Sequence, residues 1–293
     1  MNKSSFVLGS ILLLAGCGGL GTPNAGLGQA NAGSRLLPQA PGSRTATQHY
    51  IVVTQYSNDS LTEYTTKGKQ VWSITGGHIP QGVAIDANGK IYVANYGDNT
   101  VTTYTLAGKQ TTPTITAGLD EPYGITVDAS GKIYVTNSGN NSVTTYKSNG
   151  AQTKPTISGI NGAGGISVDA SGKIYVVNTN GNSVTTYKPS GAPTKPTITA
   201  LGEPVDVKVS ATGKVWVSNY NPGTITAYTS RGKQVKPTIT AGLNGLLFIA
   251  LSSTRIYAAN RVGNNVTTYT FKGKQTSPTI SGLSQYLTGI AVY

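Results

Sequence analysis

EPYGITVDASGKIYVTN, residues 121–137, returns with small changes as IPQGVAIDANGKIYVAN at 79–95 and as GISVDASGKIYVVN at 165–178. Each copy sets two short runs of β-branched and apolar residues on either side of an Asp-x-x-Gly-Lys turn, the signature of two strands joined tightly. The aromatic residue of the second run recurs at Tyr92, Tyr134, Tyr175, Trp216 and Tyr257, spaced by 42, 41, 41 and 41 residues. A third run, V-T-T-Y or a close variant, ends at Tyr64, Tyr104, Tyr146, Tyr187, Tyr228 and Tyr269. A fourth, P-T-I, ends at Ile115, Ile157, Ile198, Ile239 and Ile280, with a degenerate Ile74 before them. Four short strands in every 41 or 42 residues is the period of a β-propeller blade. A helical repeat of that length would need amphipathic runs of ten or more residues, and the chain has none.

The composition agrees. Of 293 residues only 11% are charged, 38 are Gly and 37% are hydrophobic, which excludes both a highly charged disordered chain and a long-helix protein. The expected fold is therefore all-β, a six-bladed propeller of four-stranded blades. Naming the four runs a to d, the chain begins with strand b at Tyr50 and ends with strand a in LTGIAVY, residues 287–293. That last strand is expected to join the strands at 50–75 and close the ring, which removes an open sheet edge.

Residues 1–17, MNKSSFVLGSILLLAGC, combine Lys3, an apolar run too short to span a bilayer and the chain's single cysteine. One cysteine excludes an internal disulfide and a cysteine zinc cluster. Leu14-Ala15-Gly16-Cys17 resembles a bacterial lipobox, and the resemblance implies a signal peptide over 1–16 and a lipid-bearing Cys17. Gly18 rather than Asp after the cysteine implies, by the same resemblance, the outer membrane and periplasm or the cell surface. Residues 17–47, rich in Gly, Ala and Pro, read as a flexible tether, leaving 48–293 for the propeller.

The repeats resemble the NHL family, whose pattern runs roughly P-x-G-I-A-V-D-x-x-G-x-I-Y-V-A-D. The chain departs from it at Asn95, Asn137, Asn178, Asn219 and Asn260, where that family commonly has Asp. The resemblance implies the propeller fold and removes any ligand that needs a ring of carboxylates.

Strands alternate in direction within a blade, so the a–b and c–d turns share one face and the b–c and d–a loops share the other. The turns carry Lys90, Lys132, Lys173, Lys214 and Arg255 together with Lys67, Lys69, Lys109, Arg231, Lys233, Lys272 and Lys274. With a net charge of +12 this face is expected to be basic and to suit anionic partners. The tether joins the same face, which would turn it toward the membrane. On the opposite face, positions that break the repeat are the candidates for function: Glu121, Glu203 and Asp206, the last where other blades have Gly. Tyr123 and Tyr220 lie nearby, as do Tyr56, Tyr96 and Arg261. Asn178 and Asn219 are carried as ligand candidates from the repeated Asn series, with bonding to local backbone as the other reading. Asp86, Asp128 and Asp169 read as turn residues.

The function expected is a lipid-anchored binding, interaction or sensing module of the envelope, monomeric, with an envelope protein, peptide or glycan as ligand, no cofactor and no nucleic-acid partner. The alternative is an enzyme of the central pocket. Resemblance to streptogramin lyases would require a His with a Glu two residues before it, whereas His49 follows Thr47-Gln48 and His78 follows Gly76-Gly77. Resemblance to gluconolactonase-type propellers would call for Ca2+, held by Glu121 or Glu203 with Asn178 and Asp206. No catalytic residue is assigned.

Overall fold

The computed structural model describes residues 49–283 and 286–293, and every element among them is a β-strand. The 24 strands form six separate four-stranded antiparallel sheets, each in the spatial order a-b-c-d. Blades 1 to 5 occupy residues 80–115, 122–157, 163–198, 204–239 and 246–280. Blade 6 unites the C-terminal strand Leu287–Val292 with the three strands between Tyr50 and Thr75. The closing register runs from Ile51 opposite Val292 to Thr54 opposite Gly289. Tyr293 stacks on Tyr50 with ring centroids 5.6 Å apart, and its hydroxyl donates to the buried Glu63 carboxylate. The six blades, their four strands and the closure are those expected from the repeat.

Burial grades outward across each blade. The inner strands a and the following strands b are buried along nearly their whole length, whereas outer strands such as Gln110–Ile115 and Gln234–Ile239 alternate exposed and half-buried residues. The sandwiched strands accordingly read as runs of Ile, Tyr and Val, and the outer edge as Gln, Thr and Lys. Apolar clusters bridge each blade to the next. Val177 and Tyr175 of blade 3, for example, pack with Val207, Val215 and Val217 of blade 4.

Inner strands approach closely through glycine. A Cβ on Gly82 would lie 2.6 Å from the Tyr123 carbonyl oxygen, and one on Gly124 would lie 2.9 Å from that of Gly164, closer than atoms pack. Blades 4 and 5 place Asp206 and Phe248 at the same position. The Phe248 ring meets Tyr123 of the diametrically opposite blade 2, centroid to centroid 5.2 Å, in one cluster with Val205 and Leu247. The propeller axis is filled by side chains at this level.

Candidate functional site

The face built from the b–c and d–a loops is organised by a bond that crosses from blade to blade. Each b–c loop contains one residue in the left-handed region: Asp59, Asn99, Asn141, Asn182, Gly223 and Asn264. Asn and Asp tolerate that conformation, and their side-chain oxygens can accept from nearby amides. Here the acceptor reaches the next blade, where it takes the amide of the residue just before the inner strand. The bonds are Asp59 to Ile79 at 2.9 Å, Asn99 to Glu121 at 2.6 Å, Asn141 to Gly162 at 3.0 Å, Asn182 to Glu203 at 3.1 Å and Asn264 to Tyr286 at 3.3 Å. Gly223 has no side chain with which to reach Gly245.

The residue so held is itself left-handed in all six blades. Gly162 and Gly245 adopt this freely, but Ile79, Glu121, Glu203 and Tyr286 do so at φ of 55°, 49°, 47° and 66°. Its carbonyl then accepts the amide of the residue that follows strand b in the same blade: Tyr96, Ser138, Thr179, Tyr220, Arg261 and Tyr56. Twelve residues thus form a double ring around the axial end of this face, the mouth. Their backbone bonding repeats from blade to blade, whereas their side chains do not.

Within the ring, Arg261 lies 4.7 Å from the centre of the Tyr286 ring, and Tyr56 meets Tyr286 edge-on at 6.2 Å. On the other side the Glu121 carboxylate accepts from the Tyr96 hydroxyl; burial, this bond and the Glu121 charge push that phenol well above its ordinary value. Glu203 and Tyr220 form the backbone pair of blade 4, as Glu121 and Ser138 do in blade 2. Between Glu121 and Glu203 around the ring stands blade 3, which contributes only Gly162 and Thr179. Among the described residues the carboxylates of the mouth face are Asp59, Asp98, Asp120, Glu121 and Glu203, and its one Lys or Arg is Arg261. His78 is exposed, 4.0 Å from Asp98.

Glu121, Glu203 and Tyr220 therefore stand together at the mouth. The other four candidates from the sequence stand apart from it. Asn178 and Asn219 are buried and tie their own loops: each donates to a strand c threonine, Thr185 or Thr226, at 3.1 Å, and the Asn178 oxygen accepts the Asn161 amide. Asn95, Asn137 and Asn260 make the same strand c bond. Asp206 is fully buried, 2.9 Å from the Lys208 ammonium, and accepts the Ile249 amide of blade 5 at 3.1 Å. It joins two inner strands where other blades use glycine contact, and burial raises its carboxyl above the ordinary value despite Lys208. Tyr123 is buried at the axis beneath the mouth, its hydroxyl without a hydrogen-bond partner, and burial with the nearby Asp206 charge raises its pKa. Among the described residues no three His, Cys, Asp or Glu side chains gather where a metal ion could sit. Cys17 and the segments expected to be a signal peptide and a tether lie outside the described residues.

Tyr286 and Ile79 were not among the sequence candidates. The position just before the inner strand reads Ile, Glu, Gly, Glu, Gly, Tyr through the six blades, and that scatter in an otherwise regular repeat is the signal that could have found them.

The blade register and the P-x-G-I-x-V inner strand invite comparison with known repeats. Residues 78–104 and 119–146 match the NHL repeat. They cover strands a to c of blades 1 and 2 in the NHL-like propeller. No curated protein matches the chain. Among solved structures, one chain of a nidogen/laminin complex aligns with a TM-score of 0.73 and 17% identity, over 83% of this chain and 98% of that one. A protein from Bacteroides caccae aligns at 0.68 and 15%, over 84% and 99%. A catalytically inactive virginiamycin B lyase from Staphylococcus aureus, with quinupristin, aligns at 0.63 and 15%, over 81% and 83%. At such identities the likeness of this NHL-like propeller to all three is one of fold.

Proposed function

We propose that this NHL-like propeller is a lipid-anchored binding module of the bacterial envelope, held through Cys17 and recognising a protein or peptide partner at its mouth. The observation that carries the reading is the left-handed ring position. A non-glycine residue there costs on the order of 1 kcal/mol or more, and strain of this kind collects at functional sites. Blades 3 and 5 show that glycine serves the fold, yet four blades carry Ile79, Glu121, Glu203 and Tyr286 instead. Tyrosines supply broad contact area at low conformational cost, and the two glutamates suit a partner bearing cationic side chains. The matched chain of the nidogen/laminin complex is an example of this architecture in a protein assembly.

The test uses the full chain, exported in a bacterium. Cys17→Ala should abolish acyl labelling and release the protein from the membrane fraction. A photoreactive residue in place of Ser138 or Thr179 should yield a discrete partner adduct that disappears in Glu121→Gly/Glu203→Gly, while the same group in place of Thr66, on the opposite face, should not. Adducts of equal yield from both faces, or from neither, would overturn the reading. Opening of quinupristin by the purified chain, lost in His78→Ala, would instead favour a lyase.

A further inference from the structure

The opposite face, built from the a–b and c–d turns, carries nearly all of the positive charge of the described residues. Every Lys and Arg between residues 49 and 293, save Arg261, lies in these turns or in the strand segments leading into them. The charge is not evenly spread. At five of the six junctions three equivalent positions face one another: the a–b turn cation, the residue before the strand d proline of the same blade, and the c–d turn residue of the next blade. At the blade 3/4 junction these are Lys173, Lys195 and Arg231, and at 4/5 they are Lys214, Lys236 and Lys272. At 2/3 they are Lys132, Lys154 and Ser190, at 5/6 Arg255, Ser277 and Lys67, and at 1/2 Lys90, Thr112 and Asn149. Cationic character therefore peaks at two neighbouring junctions and falls away on both sides.

Negative charge recedes at one of these two junctions: the 3/4 triad keeps Asp169 in the turn that carries Lys173, whereas the turn of Lys214 has Ser210. In blades 1 to 3 the first turn residue is Asp86, Asp128 or Asp169, whose carboxylate accepts the turn amides. Blades 4 and 5 use Ser210 and Ser252 for the same task, accepting from Lys214 and Arg255 amides at 3.1 Å. The blade 4 turn keeps its length and loses its anion, while the blade 5 turn loses its anion and is one residue shorter, the Ser252 amide donating to the Arg255 carbonyl.

The lysines are also held in place. The Lys173 ammonium donates to the Lys195 carbonyl at 2.8 Å and lies 5.3 Å from the centre of the Tyr175 ring; Lys214 donates to the Lys236 carbonyl at 3.0 Å over Trp216 at 4.8 Å. An ammonium has three donors, so each retains hydrogens for an external acceptor. At the 3/4 junction Lys173, Lys195, Pro196, Thr197, Ser230 and Arg231 line a groove of about 600 Å³. It offers three cations and two hydroxyls, a donor set suited to phosphate oxygens.

We propose that the 3/4 and 4/5 junctions form a paired groove that binds a linear phosphate polymer, successive phosphates engaging the two cation triads. The argument is independent of the mouth. Separate cation triads spaced along the arc of the rim, one of them lining a groove, suit a flexible chain that can bring a phosphate to each.

The experiment measures binding of inorganic polyphosphate and of a poly(glycerol phosphate) to the full chain at several salt concentrations. Monomeric orthophosphate and vesicles of phosphatidylglycerol serve as the other probes. Lys195→Glu/Arg231→Glu and Lys236→Glu/Lys272→Glu are compared with Lys109→Glu/Lys147→Glu, which removes equal charge from the same face beside blades 1 and 2. These side chains are exposed, so unchanged melting curves certify folding. Polymer binding should weaken steeply with salt, and each groove variant should lose about ten-fold or more while the control loses about two-fold. Equal losses in groove and control variants, absence of polymer binding at low salt, or binding confined to vesicles would each overturn the proposal. Binding of one polymer but not the other would leave it standing and identify the backbone preferred.

Discussion

The two ends of the propeller repeat in opposite ways. On the turn face the five a–b turns keep a first residue whose side chain accepts a turn amide and let its charge drift: Asp86, Asp128 and Asp169 give way to Ser210 and Ser252. At the mouth the copies keep backbone bonds and let side chains change, even where a left-handed backbone makes Glu121, Glu203, Ile79 and Tyr286 costly. Variation without strain tunes a field, whereas variation against strain marks positions at which the side chain itself is wanted. The first expectation is therefore long-range attraction through the turn face, and the second is specific contact at the mouth.

Both faces depend on the closed ring, so the comparison breaks most completely when closure fails. Removing residues 287–293 leaves Val52 and Ile51 on an open edge and uncovers the inner strand of blade 1 that Gly289 touches. The whole folding free energy, about 5–15 kcal/mol for a typical domain, is at stake. The truncated chain should show no cooperative thermal transition by circular dichroism. A sharp transition near that of the intact protein would mean that six blades are not one cooperative unit.

The next largest effect separates fold from site. Asp206 breaks the repeat as the mouth residues do, yet it is buried and bonded to Lys208 and Ile249. Asp206→Ala should cost about 3 kcal/mol by leaving Lys208 without its partner, and should do so without a direct loss of mouth contacts. Because burial raises its carboxyl, the folded state holds this proton to higher pH than the unfolded chain, where the ordinary value is 3.8. The associated stability is fully present below that value and is lost as pH climbs through the folded value. Urea denaturation between pH 4 and 8 should therefore show a falling contribution in the natural protein that is missing in Asp206→Asn. Matching slopes would mean that Asp206 is ionised throughout.

This residue also shows how far the sequence could be read. Blade count, strand order and closure were legible because they rest on spacing: Tyr92 to Tyr257 at near-constant intervals leave few alternatives, and LTGIAVY has no other sheet to join. Breaks in the repeat single out Glu121 and Glu203 on the mouth face, and Tyr220 reads as a neighbour at the start of a loop. What a break does depends on contacts between distant segments. Asp206 could not be told from a ligand-binding carboxylate until Ile249, 43 residues away, was seen to donate to it. The filled axis depends on Tyr123 meeting Phe248 from the opposite blade. The left-handed ring is set by Asn99 and Asn182 from neighbouring blades, and no local propensity of Glu announces it.

A smaller effect, of opposite sign, bears directly on the mouth. Glu121→Gly and Glu203→Gly retain the carbonyl and amide bonds of the ring and relieve its strain, following Gly162 and Gly245. Each should raise stability by up to about 1 kcal/mol in urea titrations, while the double variant loses the partner adduct. Destabilisation by either change would mean that the carboxylate supports the fold, which would remove the contrast between the two faces.

The smallest effect concerns the one blade pair in which the crossing bond is missing. Five blades hold the next blade's ring residue through Asp or Asn, and in blade 4 the sequence Asn221-Pro222-Gly223 ends at a glycine with φ of 72°. Asn is the side chain best suited to that conformation, and its oxygen would lie where Asn182 and Asn264 place theirs. Asn141→Ala should lose about 1 kcal/mol, the net worth of a hydrogen bond to a part-buried amide. Gly223→Asn should gain about 0.5 kcal/mol, since the unfolded chain also loses glycine's freedom. If both hold, the mouth is a bonded ring with one open link between blades 4 and 5, and hydrogen exchange at the Gly245 amide should slow in Gly223→Asn. If Gly223→Asn destabilises, the open link is required by the packing of Pro222 against Gly202, and the ring is irregular in backbone as well as in side chains.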